Sequence, residues 1–309
     1  MNQTNTVFIC ALAIISFGYF LKYKNIITEK EGKVISKLLM HTTFPALIIV
    51  TMMRVHLESK LLLLPIISLC FSIFSMLTAA WVFKRQGSKL RALLIMGSGG
   101  FNLGLFAYPL IEGIWGPAGM VYAAMFDLGN SLAIFGLVYG TGVFLSDKKE
   151  GVTVKENIKN AFLKIITLVP LQALLIGMII NLSHFELPTI VVEILDILAR
   201  GNKVIALLIM GIYLNMPLNS KTFQQVSKVL AIRYFWGLTL GFLCFYFLPF
   251  EPLYRHVLLI VLIIPVGMAL LPFSDELAYD TKIAGMLVNI SMLISFALMW
   301  ALVLGLKLA

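Results

Sequence analysis

The chain alternates between long apolar stretches and short polar connections. Ten stretches have about the 20 apolar residues that a helix needs to cross a bilayer. Because lipid offers the backbone no hydrogen bonds, each stretch is predicted to be an α-helix. The fold class is therefore an all-α integral membrane protein. The predicted spans are 6–23, 34–53, 61–83, 90–114, 118–146, 161–182, 188–214, 229–249, 255–274 and 283–306.

Lys and Arg residues in the connections fall mainly on one side of such a bundle. They concentrate in the connections that follow the odd-numbered spans, and Arg233 is counted among them, between the seventh and eighth spans. The positive-inside rule then predicts that this side is cytoplasmic and that both termini are outside. The polar segment 147–160 is the predicted cytoplasmic linker between a first five-helix half, 1–146, and a second, 161–309.

Composition agrees with a membrane protein. Of the 309 residues 60% are hydrophobic and 13% are charged, whereas a soluble domain has roughly 25% charged residues. The net charge is +9, and the basic residues lie between apolar runs and not along one face. This distribution argues against nucleic acid as a partner and favours membrane lipid.

Motifs for catalysis or for metal binding are not found in the sequence. Cys10, Cys70 and Cys244 all lie inside apolar runs and lack ligand spacing, so neither a metal nor another cofactor is predicted. The sequence has no Walker A, HExxH or GxSxG pattern. We therefore expect neither ATP hydrolysis by this chain nor an intramembrane enzyme.

The two halves show weak self-similarity in matching order. Thr42 and Thr43 in span two align with Asn202 and Lys203 in span seven. Arg91 and Arg255 open spans four and nine, and an Ala-Gly-Met sequence recurs at 118–120 and 284–286. Because matched spans are five apart, the two copies would have opposite orientations, as in the inverted repeats of many secondary transporters.

Spans four and nine contain helix breakers at corresponding places. Four glycines lie within 97–104 and are followed by Pro109, while span nine has Pro265, Gly267 and Pro272. In a helix interior Gly costs about 1 kcal/mol and Pro about 3 kcal/mol relative to Ala. Both spans are predicted to be discontinuous, and half-helix N-termini suit a carboxylate. The alternative is two kinked helices without a binding site.

The sequence from Asn102 to Pro109 resembles the N-x-G-x-x-G-x-P signature of the auxin efflux carrier family. That family includes bacterial malonate and malate carriers and is similar to the plant PIN auxin transporters. The likeness extends over most of the chain, although Ala107 stands where the family has its second glycine.

The resemblance implies two inverted five-helix repeats in which helices 4 and 9 cross near their breaks. It also implies an organic anion bound at that crossing. The family positions that match here are Asn102, Gly104, Pro109 and Pro265. Analogy further implies a homodimer in the plasma or inner membrane.

Span seven has four ionisable residues on one predicted helical face: Glu193, Asp196, Arg200 and Lys203. Asp196 and Arg200 are spaced to pair within the helix. One interpretation is a neutralised stripe packed against neighbouring spans. The other is that Lys203, with Asn202 beside it and Thr42 and Thr43 at the equivalent place in span two, binds the anion. These four residues are therefore candidate substrate ligands.

Two further residues are candidates for proton coupling. Asp127 lies within span five, and His41 adjoins Thr42. A histidine can titrate near neutral pH, and an acid inside a membrane span invites a functional explanation. Hydrogen bonding or packing between helices is the alternative for both.

The function predicted from these features is secondary transport of a small organic anion by alternating access. Malate, malonate or an auxin-like acid would bind at the crossing, and a proton or sodium gradient, or the gradient of the substrate itself, would drive it. Two alternatives remain open at this point. They are a sodium-coupled symporter of the bile-acid type and a non-transporting receptor or scaffold derived from a carrier.

Overall fold

The computed structural model describes residues 3–54, 58–146, 167–183, 185–215 and 220–308. The predicted linker 147–160 and the first residues of the sixth span lie outside the described residues. Throughout the described ranges the regular secondary structure is helical, and one isolated antiparallel bridge joins Phe101 to Val266.

The helices overlap most of the predicted apolar stretches. They are α1 Gln3–Tyr23, α2 Glu29–His41, α3 Thr43–Met53, α4 Leu63–Val82, α5 Ser88–Ser98, α6 Tyr108–Leu132, α7 Tyr139–Leu145, α8 Val169–Ser183, α9 Thr189–Tyr213, α10 Ser220–Phe247, α11 Pro252–Val261, α12 Leu270–Glu276 and α13 Thr281–Gly305. However, α6 runs across the predicted boundary between spans four and five, and α10 begins nine residues before the predicted eighth span. A short 3₁₀-helix, Ser59–Leu62, precedes α4, and π-helical turns at Leu103–Ala107 and Ala133–Val138 flank α6.

Six helical stretches of the described chain are long and apolar enough to cross a membrane. Two shorter apolar helices, α8 and α11, accompany them. The chain from Leu103 to Leu145 counts as one stretch of 43 residues, but it bends at Gly116, which has φ 62° and ψ −155°. Glycine suits that position because a side chain is strained at positive φ.

The helices pack into two groups, and each group contains helices from both halves of the sequence. The first helix group consists of α1, α2, α3, α8 and α9, and the second consists of α4–α7 and α10–α13. Helices from the predicted halves 1–146 and 161–309 are thus mixed within each group. The groups meet where α9, α3 and α1 contact the chain from Leu103 through α6.

Small residues allow α1 and α9 to approach closely within the first helix group. A Cβ added to Gly211 would lie 2.0 Å from the backbone oxygen of Ile15, and one added to Gly18 would lie 2.2 Å from that of Leu208. Both contacts are with backbone, which cannot rotate away. Glycines at such contacts let membrane helices pack by van der Waals attraction.

We expect Gly211→Ala to lower the melting temperature of the purified protein by on the order of 5 °C. The added methyl group would push α1 away from α9, and overpacking of this kind costs roughly 1–3 kcal/mol. Gly285→Ala in α13 is the matched control, because nothing lies within 4 Å of a Cβ there. Equal melting temperatures of the two variants would contradict the close packing of α1 on α9.

The polar stripe of span seven is paired differently from the prediction. Asp196 accepts a hydrogen bond from Arg54 at 2.7 Å and forms an ion pair with it. The Nε of Arg200 instead donates to the backbone oxygen of Asp196 at 3.3 Å. The side-chain pair predicted from the i,i+4 spacing is thus replaced by a contact from α9 to the end of α3, which sequence spacing cannot reveal.

Candidate functional site

Two helix breaks meet inside the second helix group. Helix α5 ends at Ser98, and residues 99–102 are not helical; α11 ends at Val261, and residues 262–269 are not helical. We call these two segments the paired breaks. The N–H of Asn102 donates to the oxygen of Pro265 at 3.0 Å, and Phe101 and Val266 form the antiparallel bridge. Spans four and nine are therefore interrupted, as predicted, and the interruptions contact each other.

Local sequence explains why the first break forms where it does. Gly99 is extended, and Gly100 has φ 68°, a left-handed conformation that disfavours a side chain. Pro109 then lies in the first turn of α6, where a missing N–H does no harm. The chain thus leaves one helix through glycines and begins the next at a proline.

An asparagine side chain from α6 satisfies the backbone at the first break. The Asn130 Oδ1 accepts from the N–H of Phe101 at 2.8 Å, and its Nδ2 donates to the oxygen of Phe101 at 3.1 Å. The amide therefore occupies the place of a neighbouring strand. Opposite it, Ser291 accepts a hydrogen bond from the N–H of Val266 at 3.0 Å.

Asp127 is half-buried one turn from Asn130 and accepts a hydrogen bond from its amide. Its two oxygens accept hydrogen bonds from the Nδ2 of Asn130 at 2.8 Å and from the hydroxyl of Tyr108 at 3.1 Å. A small cavity of about 10 Å³ adjoins the carboxylate and is also lined by Ile48, Ser131 and Pro170. That volume holds about one water molecule, so Asp127 connects the first break with a hydratable space between the helix groups.

Two of the candidate substrate ligands predicted from spans two and seven contact each other across the first helix group. The hydroxyl of Thr43 donates to the Oδ1 of Asn202 at 3.2 Å, and both residues are buried. Thr42 separates α2 from α3, and its hydroxyl donates to the oxygen of Leu38 at 2.7 Å. Its hydroxyl therefore stabilises the end of α2.

The first helix group covers the chain just beyond the first break. A Cβ on Gly104 would lie 3.2 Å from the Cε of Met40, and the rings of Phe44 and Tyr108 are 4.9 Å apart. The glycine in the motif therefore allows α2 and α3 to approach. The chain just beyond the first break accordingly lies at the boundary between the two groups.

Two asparagine side chains in this region are buried with unused hydrogen-bond donors. Asn102 is 5% exposed and Asn202 is 0% exposed. In each, the Nδ2 has no hydrogen-bond partner among the described residues. A buried donor without a partner is costly and uncommon in folded proteins. Such donors are poised for a ligand that brings acceptors.

The remaining candidates lie farther from the paired breaks. The Nζ of Lys203 lies against Gly113, where an added Cβ would be 2.7 Å from it. Gly113 is about 16 Å along the helix from Asn102 at 1.5 Å per residue. The carboxylate of Glu112 is close enough to attract the ammonium, and its Oε2 has no hydrogen-bond partner in the described chain. His41 is exposed, and its ring nitrogen contacts the oxygen of Lys37.

Arg233 lies in a different place from the one that the sequence predicts. The distribution of Lys and Arg assigns it to a cytoplasmic connection, but it lies inside α10 and is 2% exposed. Its guanidinium donates to backbone oxygens of both breaks. The available signal was its position within the apolar run 229–249, since a charge inside a span is a functional candidate by default. Glu112 was missed in the same way.

Comparison with known proteins places the whole chain in one family. The sequence profile of a family described as "Membrane transport protein" matches residues 6–303. The chain belongs to the auxin efflux carrier family of membrane transport proteins. The family predicted from the motif at Asn102–Pro109 is thereby confirmed.

Two archaeal relatives share most of their length with this family member. An uncharacterized transporter of Methanothermobacter thermautotrophicus is 27% identical over 238 residues, which are 75% of each chain. An uncharacterized transporter of Methanocaldococcus jannaschii is 24% identical over 242 residues, covering 75% of this chain and 72% of the relative. The family and both relatives are described as transporters and not as enzymes, in agreement with the expectation that this chain is not an enzyme.

Proposed function

We propose that this protein is a secondary carrier of a small organic anion that binds beside the paired breaks, between the two helix groups. The observation that carries the proposal is the pair of buried, unused amide donors on Asn102 and Asn202. A carboxylate offers acceptors to both, and hydrogen bonds to a charged group are the stronger kind. Malate, malonate and auxin-like acids are the substrate classes to test first.

The electrostatics of the break favour negative charge on the side of Asn102. The helical chain that starts at Leu103 presents its N-terminal end there. Free N–H groups at a helix N-terminus attract anions. Gly104 and Pro109 shape this turn, and Pro265 holds Asn102 from the other break. Lys203 of α9, whose Nζ lies against Gly113 of α6, adds a cation on the same boundary between the groups.

The proposal includes a topology of ten spans in two inverted five-helix repeats. A stretch of 43 residues from Leu103 to Leu145 would be about 65 Å long, twice the hydrocarbon core of a bilayer. Its bend at Gly116 supports two crossings within it. Both termini would then be outside, and the linker 147–160 would lie in the cytoplasm. The protein would be a homodimer in the plasma or inner membrane.

Movement of one helix group against the other would expose the site to alternate sides of the membrane. The boundary supports this because it is lined by small and aromatic contacts, including Gly104 against Met40 and Phe44 against Tyr108. In the described conformation the cavity beside Asp127 has room for about one water. A carboxylate is too large for that cavity, so separation of the groups would admit one there.

The test is a thermal-shift screen of the purified protein against mono- and dicarboxylates, followed by uptake into proteoliposomes. We expect one acid to raise the melting temperature and to be moved unchanged across the membrane. A ligand that binds the folded form at 100 times its Kd stabilises it by about 2.7 kcal/mol. The matched amides of the same acids are the control, because they lack the charge. Stabilisation by the amides but not by the acids would overturn an anion site.

A further inference from the structure

A single arginine side chain fills the space where the carbonyl groups of the two breaks converge. Arg233 lies within α10, a continuous helix of 28 residues that is interrupted at neither break. It is among the largest fully buried side chains of the described protein. No carboxylate of the described residues forms an ion pair with it.

The guanidinium is held by backbone oxygens from both breaks. Its Nη1 donates to the oxygen of Ser98 at 2.8 Å, and its Nη2 donates to the oxygens of Ile264 and Pro265 at 3.3 and 3.4 Å. The rings of Phe71 and Phe101 lie 5.5 and 5.0 Å from it. Aromatic faces at these distances attract a cation.

The acceptors belong to the negative ends of two interrupted helices. Ser98 is the last residue of α5, and Ile264 and Pro265 follow the end of α11. Carbonyl groups freed at a break inside a membrane need a partner. In secondary transporters, unwound carbonyls and half-helix C-terminal ends commonly coordinate a Na⁺ ion. Here the same kind of backbone carbonyls already bind a cationic side chain of the protein, the guanidinium of Arg233.

We propose that the guanidinium of Arg233 is a built-in cation that takes the place of a coupling sodium ion at the paired breaks. A guanidinium keeps its charge and presents five donors in a fixed fork, so it satisfies several carbonyls without an ion from solution. If the protein carries an anion as proposed above, the resident guanidinium makes that transport independent of sodium. This consequence rests on the proposed function. Protons or the anion gradient would then supply the driving force.

The first experiment measures melting temperatures of the purified protein in sodium chloride and in N-methyl-D-glucamine chloride of equal concentration. We expect the wild type to melt at the same temperature in both salts. Arg233→Ala should melt lower in N-methyl-D-glucamine by on the order of 5 °C, and sodium should restore part of this loss by binding the vacated carbonyls. Arg233→Lys, which keeps the charge, should show a smaller loss and no response to sodium.

Lys228→Gln is the matched control, because Lys228 is an exposed cation on the same helix. It should melt like the wild type in both salts. If Arg233→Ala is not recovered folded, the wild type and Arg233→Lys decide the question alone. A wild type stabilised by sodium, or one that transports anion only with sodium, would overturn the proposal.

The melting measurements need no substrate, which separates this inference from the proposed function. A protein that moves no carboxylate but melts identically in both salts would refute the carrier and support the resident cation. A carboxylate carrier that is stabilised by sodium would support the carrier and refute the resident cation.

Discussion

Replacing Asn102 with alanine is expected to weaken binding of the transported anion by roughly 10- to 100-fold while leaving the folded protein at least as stable. A hydrogen bond to a charged group contributes about 1.5–3 kcal/mol, and the Nδ2 of Asn102 has no other partner in the described chain. The backbone bond from Asn102 to Pro265 does not depend on the side chain. Removing an unsatisfied buried donor also removes its desolvation cost in the empty protein.

The measurement is the concentration of anion that gives half-maximal uptake into proteoliposomes, together with the melting temperature without substrate. Asn181→Ala is the matched control, because the Nδ2 of Asn181 donates to the oxygens of Met52 and Met53 within the first helix group. It should lose stability and keep its affinity. Unchanged affinity in Asn102→Ala would remove Asn102 from the substrate site.

Asp127→Asn is expected to disconnect anion movement from a pH gradient. Asn is nearly isosteric with Asp but cannot carry a proton, and at position 127 it keeps an oxygen for either Tyr108 or Asn130. If one proton moves with each anion, a gradient of two pH units supports about 100-fold accumulation in the wild type. The variant should only equilibrate the anion across the membrane.

Two measurements separate lost coupling from lost folding. Accumulation under a pH gradient should fall, while exchange of labelled for unlabelled anion at equal concentrations should persist, because exchange needs no net proton movement. Asp275→Asn, at an exposed aspartate of α12, is the control and should behave like the wild type. Accumulation by Asp127→Asn that matches the wild type would exclude Asp127 as the coupling residue.

The contrast between Asn102 and Asn130 illustrates what a motif reveals and what it omits. Both residues were visible in the sequence, but only the structure shows that the Asn130 amide is consumed by the backbone of Phe101, whereas the Asn102 amide is unused. One asparagine amide is thus satisfied by hydrogen bonds, whereas the Nδ2 of the other is buried without a partner. The difference arises from contacts between segments that are 29 residues apart.

The sequence by itself determined the helices and the position of both breaks. Apolar length fixes where helices form, because lipid leaves the backbone no other partner, and clustered Gly and Pro fix where helices stop. The family followed from the motif at 102–109 and was confirmed over residues 6–303. These properties depend on neighbouring residues, so a single chain read in order is enough to find them.

Tertiary structure alone decided which polar groups meet. Asp196 pairs with Arg54 and not with Arg200. Arg233 contacts the paired breaks and does not lie in a connection, and the Nζ of Lys203 lies beside Gly113. Helical periodicity specifies the face on which a side chain lies but not the helix that faces it. That choice depends on the packing of α1–α3 with α8 and α9 and of α4–α7 with α10–α13, which only the folded protein defines.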